Sequence, residues 1–269
     1  MTITDVQKKV NELKRNYGKL QSNIIWMNLR EAQIDYAYQN PRAIVFTVQE
    51  PFRVRGYFAG VDGESIAEVL QMLPKGTVVE YLFREENDMK QCFENGSLDE
   101  YACYIRQTCI YAENPYHMPE TGNQKLLQES YDPDFGEYPQ EADVEELYQL
   151  MKDTFDPICD DMFTRERWKE IIDNKECLIG RHNNKIVSVY VWRLEGKKMY
   201  INIMINRGPA NYRYNLERYV FEQIWEAGVR CTYVWCNVKN ERAVKHWIER
   251  AARESKSSET LYNGVFVKM

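Results

Sequence analysis

The sequence predicts an α/β (α+β) fold made of tandem modules, each a mixed, mostly antiparallel sheet flanked by helices. Residues 200–269 are patterned as strand, turn, helix, strand, helix, strand. Residues 43–111 repeat much of that order. Between them, residues 112–140 contain four prolines and two glycines but little hydrophobic periodicity, which is typical of a linker. We therefore expect one module in residues 1–112, a linker in 113–140 and a second module in 141–269.

The second module has the clearest element boundaries. Residues 200–206 alternate apolar and polar side chains like a strand, and Gly208 and Pro209 interrupt them. Residues 215–227 have a helical apolar period, and Gly228 is placed to end that helix in a left-handed conformation. The remaining expectations are a strand at 230–236, a helix at 240–250 and a strand at 260–268, with helices at 142–153 and 165–174 and strands at 177–181 and 185–194 upstream.

The first module resembles the second at a nearly constant offset. Gln71, Gly76 and Tyr81 match Gln223, Gly228 and Tyr233 at a shift of 152, and Asn87 falls opposite Asn240 at a shift of 153. Such self-similarity indicates an internal duplication. The expected elements are helices at 6–20, 24–38, 65–73 and 87–95, and strands at 43–49, 52–60, 77–84 and 100–111.

Composition narrows the classes of function. The net charge of −6 and the lack of a long basic face oppose nucleic-acid binding. No apolar run is long enough for a membrane span, and the first residues lack the apolar core of a signal peptide, so we expect a cytoplasmic protein. Seven cysteines without a Cys-x-x-Cys pair and three dispersed histidines favour reduced core cysteines and no metal site. The 19 tyrosines suit either a core or a homodimer interface, and both remain open.

Two motifs give the second module a family resemblance. Arg207-Gly208-Pro209-Ala210-Asn211-Tyr212 aligns with Arg/Gln-x-x-Gly-x-Gly/Ala, and Cys236-x-x-x-Asn240-x-x-Ala243-x-x-x-Trp247 aligns with Val-x-x-x-Asn-x-x-Ala-x-x-x-Tyr. Together with the element order, they make residues 138–269 similar to the GNAT superfamily of acyl-CoA-dependent N-acyltransferases. The resemblance implies transfer of an acyl group from acetyl-CoA, or another acyl-CoA, to an amine of a small molecule or peptide.

The cofactor site implied by the resemblance lies around residues 204–213 and the start of the next helix. Backbone N–H groups at a helix start are suited to bind a pyrophosphate, and several cations cluster nearby. Asn240 has the alternative role of an N-cap, and both roles are compatible. The first module has Asp62 and Glu64 at its corresponding turn, so we expect it not to bind the cofactor. The implied cofactor residues are Met204, Ile205, Asn206, Arg207, Gly208, Ala210, Asn211, Tyr212, Arg213, Asn240 and Ala243.

The chain departs from the family pattern where catalysis is concerned. Ala210 and Tyr212 replace the two loop glycines, and Trp247 replaces the tyrosine that often serves as general acid. No carboxylate lies on residues 200–206. The candidates for proton transfer are Glu195, Asn237 and Tyr262, with Asn202 and Tyr233 as further residues of the cleft. A non-catalytic acyl-CoA-binding or regulatory module that kept the fold is the main alternative, and an interaction protein is a third.

Overall fold

The computed structural model describes residues 1–84, 89–116, 123–254 and 260–269, without the side chains of residues 123, 124 and 248–254. Its centre is one sheet of twelve strands flanked on both faces by helices. A mixed, mostly antiparallel sheet is therefore confirmed, but the strands of the two predicted modules form one continuous sheet.

In its described residues, the N-terminal half contributes six strands and three helices. Their bounds are α1 Ile3–Tyr17, β1 Gln21–Ser22, β2 Ile34–Gln39, β3 Ala43–Gln49, β4 Val54–Gly60, α2 Gly63–Gln71, β5 Val78–Phe83, α3 Met89–Asn95 and β6 Leu98–Ile110. A 3-10 helix covers Trp26–Leu29.

The rest of the chain contributes six strands and five helices within the described residues. Their bounds are α4 Asn123–Glu129, β7 Gly136–Glu137, α5 Val144–Lys152, α6 Arg165–Asp173, β8 Cys177–His182, β9 Lys185–Glu195, β10 Lys198–Asn206, α7 Ala210–Glu226, β11 Cys231–Asn237, α8 Glu241–Glu254 and β12 Tyr262–Lys268. A second 3-10 helix, Glu141–Asp143, precedes α5.

The strand order is β2-β3-β4-β5-β12-β6-β11-β10-β9-β8-β7, and β1 pairs with β4. The last strand, β12, therefore lies between β5 and β6, and β6 pairs with β11. Each half contains one parallel pair, β4 with β5 and β10 with β11, joined by a helix. Thus β5 and β11 occupy equivalent places, as the predicted repeat requires, although duplication itself stays a prediction.

The helices pack on opposite faces of the sheet. Residues of α2 and α3 pack in one cluster on the face that also receives α7 and α8, here called the back face. On the other face, here called the front face, α1 packs on β3 and β4, while α5 and α6 pack on β8, β9 and β10. The functional features described below lie where the two halves meet.

Local sequence explains most element boundaries. Thr2 and Asp5 form a capping box at the start of α1. The main chain of Gly228 has φ of 83°, which ends α7 in the predicted left-handed conformation. Residues 24–38 do not form the predicted helix, because residues 26–29 form a 3-10 helix and residues 34–39 pair with β3 as a strand. Helix α7 begins at Ala210, five residues earlier than predicted.

The segment predicted as a linker packs against the C-terminal half. Its strand β7 pairs with β8, and the Tyr138 hydroxyl donates to Gln223 on α7. The Tyr116 side chain is buried in the core beneath α7. The predicted limits of the modules stay a prediction. None of the helices in the described part of the chain is long and apolar enough to cross a membrane.

Candidate functional site

Strands β10 and β11 separate part of the way along their length. Their parallel pairing runs from Lys198 with Cys231 to Ile201 with Val234. A bulge then occurs at Asn202, and the rest of β10 pairs only with β9. Backbone N–H and C=O groups that face a separating neighbour are available to an extended ligand. Strands β10 and β11 therefore leave an opening along residues 202–206.

A tight turn follows this opening, at residues 207–209. The Asn206 side-chain Nδ2 donates to the carbonyl oxygens of Gly208 and Pro209 at 3.1 and 3.0 Å. Helix α7 then begins at Ala210 without a side-chain cap, so the N–H groups of Ala210 and Asn211 remain available to an anion, whereas that of Tyr212 donates to the Pro209 carbonyl at 3.1 Å. At 17 residues, α7 is long enough for its dipole to favour an anion here.

The side chain of Tyr212 is turned away from the opening. Its ring lies against Gly208, where an added Cβ would come within 2.3 Å of the ring. The ring stacks on Phe135 at 4.4 Å, and its hydroxyl contacts His182 at 3.2 Å. Phe135 and His182 belong to the β7–β8 side of the sheet, whereas the opening is on the β11 side. Tyr212 therefore replaces the family glycine without filling the space beside β11.

Cationic groups lie at this turn. Arg207 is exposed and donates to the Thr154 hydroxyl at 3.3 Å. The Nε of Arg213, in the first turns of α7, is buried and has no hydrogen-bond partner within the described part of the chain. Asn240 accepts from the Ala243 backbone N–H at 3.2 Å, so its predicted capping role at α8 is present. Lys239 and Arg242 are exposed beside it.

The opening leads into a cavity of about 580 Å³ on the front face. Both halves line it: β10 and β11 supply Tyr200, Asn202, Tyr233 and Trp235, and β4 and β5 supply Arg55 and Glu80. The segment 22–28 closes one side, and the loop between α5 and α6 closes the other. A cavity at the end of separating strands is a suitable place for a second substrate.

A compact ion-pair network lies against the cavity. The Glu80 carboxylate bonds to Arg53 at 2.7 Å and to Arg55 at 2.8 Å. Glu50 also pairs with both guanidinium groups, at 3.1 and 3.4 Å. The Arg53 and Glu80 side chains are only 7% and 13% exposed, so each charge depends on its partners.

The loop between α5 and α6 is fixed by the N-terminal half. Arg53 donates to the Ile158 carbonyl at 2.8 Å, and the Tyr104 hydroxyl donates to Asp160 at 2.6 Å. Asp160 also accepts the Asp156 backbone N–H at 2.8 Å. Burial, followed by the bond to Asp160, raises the pKa of the Tyr104 hydroxyl. These contacts present Asp161 at the cavity.

Asp161 is an acidic residue of the cavity whose pKa is raised. The surrounding protein desolvates its carboxyl and raises its pKa, and Glu80 adds to the rise. Arg53, 3.9 Å away, opposes that effect. The Asp161 side chain is nevertheless 66% exposed, so within the concave site it is still reached by solvent.

Glu195 and Tyr233 form a second pair at the cavity. The Tyr233 hydroxyl donates to Glu195 at 2.5 Å, and this bond lowers the pKa of the carboxyl. Burial raises the pKa of Tyr233 itself. The Tyr233 ring stacks on Tyr200 at 4.9 Å. A carboxylate held in its charged form this way is a weak proton acceptor, and its bond to Tyr233 fixes the tyrosine at the cavity wall.

The other two predicted catalytic residues lie elsewhere. The Asn237 side chain accepts the Lys239 backbone N–H at 2.9 Å, forming a turn at the end of β11. Tyr262 pairs with Phe83 and Ile105 and stacks on Phe83 at 5.4 Å. Its side chain shares the back face with Ile105, whereas the neighbouring Asn263 lines the cavity. The structure therefore places Glu195 at the cavity wall, through its hydrogen bond with Tyr233. Asn237 and Tyr262 do not lie at that wall.

Asp161, Glu80 and Tyr200 line the cavity but are not among the residues predicted from the sequence. Asp161 is in a loop whose position depends on contacts with distant Arg53 and Tyr104. Glu80 enters the site because the two halves share one sheet. The one available signal was the run Asp156-Pro-Ile-Cys-Asp-Asp161, in which three carboxylates follow a helix.

The corresponding opening in the N-terminal half is closed by the chain itself. The β4–β5 pairing stops at Gly56 with Val79. Beyond it, the Asn23 Nδ2 donates to the carbonyl oxygens of Gly56 and Glu80, at 3.0 and 2.9 Å, and its Oδ1 accepts the Phe58 N–H at 2.8 Å. This carboxamide therefore fills the space between the separating strands.

The anion position of the N-terminal half is also occupied. The Asp62 carboxylate caps α2 by accepting the Ser65 N–H at 2.9 Å, a bond that lowers the pKa of Asp62. Arg42 donates to the same carboxylate at 2.9 and 2.6 Å. The cap thus places a carboxylate at the helix start, the position where an anion would otherwise bind.

A parallel strand pair that separates next to a helix start, within a mostly antiparallel sheet, defines a GNAT-like architecture. Solved structures have a similar overall fold. A GCN5-related N-acetyltransferase from Sphaerobacter thermophilus is 14% identical with a TM-score of 0.54, over 89% of this chain and 83% of that one. A GCN5-related N-acetyltransferase from Kribbella flavida is 8% identical with a TM-score of 0.54, over 89% and 90%.

A third similar structure is a functionally unknown conserved protein from Staphylococcus epidermidis, at 10% identity and a TM-score of 0.53, over 92% and 99% of the two chains. The chain therefore has the fold of the GNAT acetyltransferases, as the motifs predicted. No protein-family model and no curated protein match the sequence.

Proposed function

We propose that the protein transfers an acyl group from acetyl-CoA, or another acyl-CoA, to an amine bound in the front-face cavity. The observation that carries the proposal is the separation of β10 from β11 after Ile201, since Asn202 and Ile203 line that cavity and the turn at residues 207–209 follows on the same strand. Such an opening lets a thioester and an amine approach each other from two sides of one sheet.

The C-terminal half supplies the features needed to hold the cofactor. The N-terminal turn of α7 and the Arg213 guanidinium provide donors for a pyrophosphate. The unpaired edge of β10 after Ile201 provides backbone groups for the amides of the pantetheine arm. One of its N–H groups can also polarise the thioester carbonyl. Because Asn23 and Asp62 close the other half, we expect one acyl-CoA per chain.

The acceptor is a primary amine, in a small molecule or a peptide. Acidic side chains outnumber free basic ones at the cavity, since Arg53 and Arg55 are already paired with Glu50 and Glu80. Asp160 and Asp161 then leave a net negative site that favours a cation.

Calorimetric titration with acetyl-CoA tests the cofactor part of this proposal. We expect binding at one site per chain, and at least tenfold weaker binding in the double variant Arg207→Glu, Arg213→Glu, because two cations at the phosphate position are reversed. The matched control is the double variant Lys19→Glu, Lys75→Glu, which changes the net charge by the same amount at two exposed cations outside the C-terminal half. Equal losses in both variants would show that only overall charge matters.

Release of free thiol from acetyl-CoA in the presence of ethylamine, 1,4-diaminobutane or a lysine-containing peptide tests the transfer. Amine-dependent release supports the proposal. Binding of acetyl-CoA without release with any amine would favour the non-catalytic binding module instead.

A further inference from the structure

We propose that Asp161 is the group that takes the proton from the acceptor amine, a role that rests on the proposed acyl transfer. Strand β10 has no Asp or Glu where the resembling family often carries its general base, because the residues of β10 that face the cavity are Tyr200 and Asn202. Trp247 is 2% exposed within the back-face core and has no proton to exchange at neutral pH. Asp161 instead reaches the same cavity from the front.

The loop that carries Asp161 is held in place rather than left to move. Asp156 accepts the Ile158 backbone N–H at 2.9 Å, and Asp160 is fixed by Tyr104 and by the Asp156 backbone. Arg53 ties the loop to β4 through the Ile158 carbonyl. The carboxylates of Asp156 and Asp160 therefore accept hydrogen bonds that hold the loop, whereas the Asp161 carboxylate lies at the cavity, 3.9 Å from Arg53.

The groups around Asp161 suit a proton acceptor. Asp161 lines the cavity, and desolvation by the surrounding protein, followed by the negative charge of Glu80, raises its pKa, the direction that favours accepting a proton. Its exposed carboxylate remains within reach of a ligand or a water. It also influences Tyr200 across the cavity, where it contributes to a raised pKa of the hydroxyl after burial. Charged and titratable groups that act on Asp161 or line the cavity with it are Glu50, Arg53, Arg55, Glu80, Tyr104, Cys159, Asp160, Arg193, Tyr200 and Tyr233.

The proposed step forms a carbon–nitrogen bond and breaks the carbon–sulfur bond of the thioester. The ammonium group of the acceptor gives one proton to the Asp161 carboxylate, directly or through a water, and the freed nitrogen lone pair attacks the thioester carbonyl carbon. The carbon–sulfur bond then breaks, and the CoA thiolate leaves with the electron pair. The second nitrogen proton passes through water to the thiolate, and Asp161 returns its proton to solvent. The products are the amide, CoA and one proton.

The test compares Asp161→Asn with the wild-type protein on two nucleophiles. With the best amine from the thiol-release assay, we expect kcat/KM to fall by about 10²–10⁴-fold near neutral pH. With hydroxylamine, whose nitrogen is already neutral at that pH, the loss should be less than tenfold. The control is Asp173→Asn, which changes an exposed carboxylate at the end of α6 and should alter neither rate.

The pH profile supplies a second arm. The gap between Asp161→Asn and the wild type should narrow as pH rises, since the amine then loses its proton to solvent without help. Asp161→Glu should recover part of the rate because it restores a carboxylate.

Three outcomes would overturn the inference. Equal rates of wild type and Asp161→Asn with the amine exclude Asp161 as proton acceptor while leaving acyl transfer intact. Equal losses on the amine and on hydroxylamine show that the residue binds or shapes the site instead. A wild-type protein that releases thiol with neither nucleophile removes the proposed function, and the role of Asp161 falls with it.

Discussion

Asn23 closes the opening in the N-terminal half, and its removal should destabilise the protein measurably. The Asn23→Ala variant loses three part-buried hydrogen bonds, to the Gly56 and Glu80 carbonyls and from the Phe58 N–H. Each such bond contributes about 0.5–1.5 kcal/mol, and the three backbone groups would be left without their partner. We therefore expect the free energy of unfolding to fall by about 2–4 kcal/mol.

Urea unfolding at equilibrium measures this change, with the slope of the transition as a check that the unfolded state is unaltered. Asn28→Ala is the matched control, because Asn28 is an exposed residue of the same segment. Asn23→Asp sharpens the test: it keeps an acceptor for Phe58 but turns a charge toward two carbonyl oxygens. At neutral pH it should be less stable than Asn23→Ala.

The pKa of the carboxyl introduced by N23D should lie above its unfolded value, because carbonyl dipoles oppose its charge. The stability of N23D relative to N23A should therefore rise as pH falls through that raised pKa. A loss of less than about 1 kcal/mol in Asn23→Ala, with an unchanged slope, would refute the view that this carboxamide joins β4 to β5.

Two further variants test other parts of the structure. Glu80→Gln removes one charged partner of Arg53 and Arg55 in a nearly buried network. We therefore expect the free energy of unfolding, measured with urea, to fall by about 3 kcal/mol. A fall too small to detect would mean that Glu50 alone neutralises both cations. Trp247→Phe should lower the thermal midpoint, because it leaves a void in the back-face core, while the rate of acyl transfer per folded site stays within about tenfold. A loss beyond a hundredfold in folded Trp247→Phe would assign the indole a catalytic role.

Sequence reasoning was sufficient where the signal is local. The strand–turn–helix order around Gly208 and the cap at Gly228 are set by neighbouring residues, and both are present. The motif spacing from Cys236 to Trp247 likewise indicated the correct fold. Asn240 caps its helix as its residue type predicts.

The parts that could not be predicted depend on pairing between distant segments. The sequence of residues 260–268 does not indicate that β12 inserts between β5 and β6, since a short apolar run such as residues 265–267 is compatible with many positions in a sheet. That insertion places Glu80 and Asn263 at one cavity. Similarly, the sequence alone indicates that Asn23 is a polar residue of a loop, and its role becomes visible only from the pairing of β1 with β4.

The insertion of β12 also means that the centre of the sheet can form only after β12 has been synthesised. Strands β5 and β6 each pair with β12, and β12 occupies the place between them. Both leave the ribosome long before β12, so each has an unpaired edge while the whole C-terminal half is being made. Open edges of this kind favour pairing with other chains. The centre of the sheet closes only when the residues of β12 arrive, which makes the last strand a late and obligatory step of folding.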